Sequence, residues 1–104
     1  MKIKLIFNSR FAKLINVGAI TLYPFIFFAD DKQTALEQHI VAHEYVHVVQ
    51  IRTLGWWRFY WTYLVEYFKA RFAGKNDNDA YYSVSYEVQA YAMQDVIEVP
   101  KGFV

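Results

Sequence analysis

Near Asp30 the apolar residues of this chain change their spacing, from every second position to the three-or-four spacing of a helix. Neither an all-helical nor an all-strand fold suits both halves. Ahead of the change, Ile3, Leu5 and Phe7 alternate with Lys2, Lys4 and Ile6, the period of a half-buried strand. Asn8, Ser9 and Arg10 read as a turn. Residues 17–22 and 25–29 are two further strands, with Tyr23-Pro24 as the turn between them because proline cannot sit inside a central strand. Lys2, Lys4, Arg10 and Lys13 ahead of the apolar run 14–29 loosely resemble a signal peptide. Asn16, Gly18, Thr21 and Pro24 interrupt that run, however, and its β-branched and aromatic makeup suits strands. The expectation is therefore no cleaved signal and a cytoplasmic setting. The run is also too short and too broken to span a bilayer as a helix.

Beyond Asp30 the segment Thr34-Ala35-Leu36-Glu37 has the form of a capping box. It opens a helix that runs through Leu54 and stops at Gly55. A second helix is expected over 56–73, ending at Gly74, followed by a polar loop over 74–79. Ser83 is the expected N-cap of a third helix reaching Val96, and Pro100 and Gly102 mark an irregular tail. The predicted fold is α+β: one domain over 1–104, with a small sheet of about three strands followed by three helices.

Composition narrows the function classes. The chain has 104 residues, 56% of them hydrophobic and 20% aromatic, far from a disordered composition. Eleven Lys and Arg against ten Asp and Glu give no basic excess for neutralising phosphates, so nucleic acid is not an expected partner. Without cysteine there are no disulfides, cysteine zinc ligands or thiol nucleophiles.

The first helix carries His43-Glu44-Tyr45-Val46-His47, an H-E-x-x-H motif. At 100° per residue, His43 and His47 stand about 40° apart on one face, one turn apart along the axis. Two imidazoles so placed reach one ion, while Glu44 lies about 60° round from His47, in reach of a water on that ion. His39 continues the series at i, i+4, i+8. Each turn advances about 5.4 Å, so three histidines in a row do not all converge on one ion. His39 reads as a residue of the cleft wall, with a ligand role left open. A hydrolytic site needs a third ligand besides an open position. The candidates are His39 and a downstream carboxylate: Glu87 foremost, in Tyr86-Glu87-Val88-Gln89-Ala90-Tyr91, with Asp95 and Glu98 behind it. Asp77 and Asp79 sit in the polar loop.

H-E-x-x-H followed forty residues later by the Glu87 segment resembles the gluzincin zinc metallopeptidases, in particular the minimal single-domain members, the minigluzincins. The resemblance runs from about residue 20 to 91. It implies a small sheet whose edge strand lines the cleft, one Zn2+ ion held by His43, His47 and Glu87, and hydrolysis of peptide bonds in a peptide or protein substrate. Glu44 would be the general base activating a zinc-bound water. Gln89 stands where many related short sequences have an acidic residue. Tyr91, one turn beyond Glu87 on the same face, is the first choice for a hydrogen-bond donor to the oxyanion, ahead of Tyr86 and His39. Some minimal gluzincins are held latent by a terminal segment in the cleft, a part that Gly102-Phe103-Val104 could play. The alternative function is a non-catalytic module on the same fold that binds metal or interacts with a protein or membrane. Helix 56–72 bears nine aromatic residues, more rings than so small a domain hides easily. The face left over would serve a homodimer, a protein partner or a membrane surface.

Overall fold

The computed structural model describes residues 3–15 and 17–103. Lys2 of the first expected strand, Asn16 of the apolar run and Val104 of the tail lie outside them. The α+β expectation holds. Strands β1 (Lys4–Ile6), β2 (Ala19–Leu22) and β3 (Phe25–Phe28) form one sheet in the order β1-β3-β2, with β2 antiparallel and β1 parallel to β3. Tyr23-Pro24 is the turn between β2 and β3, so β2 stands at a sheet edge. A short helix, α1 (Arg10–Leu14), joins β1 to β2, where a turn alone was expected. Ser9 starts it, its hydroxyl accepting the Ala12 N–H at 3.2 Å. Of the described residues that loosely resembled a signal peptide, Lys4 lies in β1, Arg10 and Lys13 in α1, and most of the apolar run in β2 and β3.

Ile26 and Phe28 of β3 are fully buried and meet Ala35, Val41 and Val48 in the core, with Phe7 stacked on Phe28 at 4.8 Å. Each such large apolar side chain contributes roughly 1.5–3 kcal/mol by leaving water. The tail belongs to this core: Val99 and Phe103 pack on it, and Phe103 also meets Tyr45 edge-on at 4.9 Å.

The helices differ from expectation at their ends. The motif helix is two helices, α2 (Lys32–Glu37) and α3 (Ile40–Leu54). Asp31, not Thr34, is the N-cap of α2: its carboxylate accepts the Thr34 N–H at 2.8 Å. Glu37 bonds the Gln33 side chain instead of closing a capping box. Between the two helices His39 takes a left-handed conformation, φ 58°, which breaks the ladder and restarts it. Helix α4 (Trp56–Phe72) agrees with the sequence to within a residue. The polar stretch after Gly74 is less of a loop than expected. Asn76 caps α5 (Asp77–Ser83), and Asp77 and Asp79 fall in its first turn, where the helix dipole favours negative charge.

Ser83 ends α5 instead of opening the next helix, and α6 (Ser85–Met93) stops short of Val96. The N-terminus of α6 is capped from another helix. Glu66 of α4 accepts both the Ser85 N–H and its hydroxyl, each at 2.9 Å.

Candidate metal centre

Helix α3 lies between the sheet and α6, and its buried positions include polar ones: His43, Glu44, His47 and Gln50. Helix α6 turns Glu87 in toward the two imidazoles. Ligand atoms of His43, His47 and Glu87 all lie within 4.8 Å of one another, and the three residues are buried. His43 Nε2 is 2.8 Å and His47 Nε2 3.0 Å from the same oxygen, Glu87 Oε1. The other oxygen, Oε2, accepts the Tyr63 hydroxyl at 2.6 Å.

The hydrogen bonds behind His47 fix which of its ring nitrogens carries a proton. Gln50 Nε2 donates to the Tyr86 carbonyl at 3.1 Å and to Gln89 Oε1 at 2.7 Å. A carbonyl only accepts, so the orientation of the Gln50 amide is determined and its Oε1 faces His47 Nδ1 at 2.8 Å. His47 Nδ1 is therefore the donor there. His43 Nδ1 lies 2.8 Å from the side-chain amide of Gln94. Nε2 of each imidazole faces the same carboxylate oxygen, and His47, with Nδ1 donating, turns a lone pair on it when neutral. A neutral His47 Nε2 and the carboxylate oxygen at that separation repel unless a cation lies between them, and only a proton or a metal ion is small enough.

The electrostatics agree. Burial alone would lower the pKa of His47, but the Glu87 hydrogen bond and the charges of Glu44 and Glu87 outweigh it and raise it to about 9. Burial would likewise raise Glu87, yet the hydrogen bonds from His43 and His47 hold it well below the usual carboxylate range. The donor set, two imidazole nitrogens and one carboxylate oxygen, could hold a metal ion.

Glu44 is buried beside this cluster, and its Oε2 accepts the Thr21 hydroxyl of β2 at 2.7 Å. It lines both of two adjoining clefts. The larger, about 690 Å³, is walled by His43, Tyr63, Tyr67, Tyr81, Tyr91 and Gln94 among others. The smaller, about 350 Å³, is walled by Ala19, Thr21, Leu22, Phe59, Tyr60 and Leu64, with His47 and Glu87 also exposed to it. Among the described residues, none after Gln94 lines either cleft, so Gly102 and Phe103 do not lie across the site.

Tyr91 rests its ring on His43, centroids 4.4 Å apart, and its hydroxyl is 3.1 Å from that of Tyr81. His39 is drawn away from the series by its left-handed backbone. It is exposed, 3.7 Å from Asp95, and lines neither cleft. Tyr86 contributes its carbonyl, while its ring stacks on Phe59. Sequence reasoning did not single out Gln50, Gln94, Tyr63, Tyr81 or Thr21. Gln50 and Gln94 had a weak signal, as amides near the motif and near Glu87. Tyr63 and Thr21 had none, since only packing of α4 and β2 brings them in.

Fold and site together define a small α+β domain with a buried His–His–Glu cluster that could hold a metal ion. A family model described as the eCIS core domain matches residues 7–55. The match takes in β2, β3 and the whole of α3 with both histidines, and stops before Glu87. No curated protein and no solved structure matches the chain.

Proposed function

We propose that this protein is a metal-dependent hydrolase of peptide bonds, of the gluzincin type, with His43, His47 and Glu87 holding one zinc ion. The observation that carries this is the convergence of three candidate ligand atoms beside a buried, cleft-lining Glu44. A divalent ion there supplies Lewis acidity, acidifying water and polarising a carbonyl. The Thr21 hydroxyl holds the Glu44 carboxylate in place, and Glu44 takes the proton of the attacking water and returns it to the leaving amine. Tyr81 and Tyr91 are kept protonated, their pKa values raised first of all by burial, and supply phenolic donors for a developing oxyanion.

The edge of β2 supports an extended substrate. The Gly18 carbonyl bonds the Ala29 N–H, which turns residues 18, 20 and 22 toward β3 and leaves the backbone of Ala19 and Thr21 facing outward along the clefts. An added strand could pair there. Tyr60 closes that edge at one end, donating to the Thr21 carbonyl at 2.7 Å and accepting the Tyr23 N–H at 3.0 Å.

The test pairs metal analysis with a broad peptide library. Wild type should bind one ion and cleave, and Glu44→Gln should keep the ion and lose cleavage. A wild type that binds metal but cleaves nothing would favour a non-catalytic metal-binding module. A metal content unchanged by Glu87→Ala would remove the site altogether.

A further inference from the structure

Helix α4 keeps most of its aromatic surface in solvent. Phe59 is its only fully buried side chain among the described residues. Trp57, Trp61, Leu64, Val65, Phe68 and Phe72 are between 40% and 90% exposed. At 100° per residue these six fall within an arc of about 100°, a continuous apolar stripe roughly 22 Å long. The indoles of Trp57 and Trp61 lie parallel along it, 6.3 Å between centroids. The chain exposes 6933 Å² in all, against about 6,100 Å² expected of a compact monomer of this mass.

The charges around the stripe say what it meets. On the helical projection Arg58 and Lys69 border it on one side and Arg71 on the other. The helix has one acid, Glu66, which lies on the opposite side and is bonded to Ser85. Asp77, reaching α4 from α5, is bonded to Tyr67. A second copy of this face would bring three cations against the same three cations with no acid on the stripe to pair them.

We propose that α4 docks the domain on an anionic lipid surface, lying in the plane of the interface. The rings and Leu64 enter the acyl boundary while Arg58, Lys69 and Arg71 reach the headgroups. Among the described residues no helix is long and apolar enough to cross a membrane, so α4 would lie on the bilayer. Leu64 and Leu22 also line the smaller cleft, which places its mouth close to the headgroups.

All three tryptophans, Trp56, Trp57 and Trp61, belong to α4, so intrinsic fluorescence reports this helix alone. The full chain should float with phosphatidylcholine vesicles containing phosphatidylserine, with a blue-shifted emission that brominated acyl chains quench. Trp57→Ser with Trp61→Ser should abolish flotation. Arg58→Gln, Lys69→Gln and Arg71→Gln together should weaken it about a hundredfold, to the level seen with neutral vesicles. Both variants should keep the wild-type circular dichroism, because the side chains point to solvent. Absence of flotation and quenching for the wild type would overturn the proposal, as would equal binding to neutral and anionic vesicles. A solution dimer that Trp61→Glu dissociates, without vesicle binding, would also overturn it and assign the face to self-association. None of these readouts depends on metal or hydrolysis.

Discussion

Metal affinity should rise steeply with pH, because an ion at His47 must displace a proton that the site holds tightly. With the His47 pKa at about 9, the imidazolium persists two units above its ordinary range. At pH 7 its proton costs the incoming ion about 2.7 kcal/mol. The apparent dissociation constant should therefore fall about tenfold per pH unit from pH 7, about fifty-fold by pH 9, and level off above that about a hundredfold below its pH 7 value. Titration calorimetry in buffers of different ionisation enthalpy measures the proton directly, and at pH 7 about one proton per zinc should be released. Glu44→Gln removes one of the charges that raise His47 and should move the break in the curve to lower pH. A flat profile, or binding without proton release, would refute the account of an ion replacing the His47 proton among these three ligand atoms.

Other consequences follow from the same geometry. In the metal-free protein the raised His47 contributes stability that is fully present below about pH 6.5 and is lost as pH climbs through about 9. The lowered Glu87 contributes stability above about pH 4.5 that is lost as pH falls through its folded value; thermal melts across pH should show both limbs. Gln50→Leu strips His47 Nδ1 of its acceptor and should weaken zinc binding ten- to a hundredfold by competition titration, with the fold intact. Glu66→Ala removes the cap of α6 and should cost roughly 1–2 kcal/mol in denaturant melts. Deleting 97–104 should destabilise the protein without raising hydrolysis, since Val99 and Phe103 pack on the core; a faster enzyme would contradict this.

The motif helix and its partner show how far the sequence reaches. His43 and His47 are bound to one face by helical pitch, and any helix through them presents two imidazoles together. The α+β division and the aromatic helix were equally legible, because hydrophobic period is a local property that survives whatever the chain packs against. Helix ends were less legible. Asp31 and Thr34 are both good caps three residues apart, and the choice fell to whichever fitted the approach from β3.

Local spacing determined that this chain makes a sheet, then helices, with two histidines and a glutamate side by side on one of them. Tertiary packing alone decided that Glu87 meets those histidines, that Gln94 meets the outer nitrogen of His43, and that Tyr63 and Thr21 steady the two carboxylates. It also decided that His39 swings away and that the tail joins the core. The physical reason is range. Backbone hydrogen bonding acts over four residues and can be read along the chain. A ligand set is closed by contacts forty residues apart, whose geometry exists only once the apolar surfaces between them have been buried.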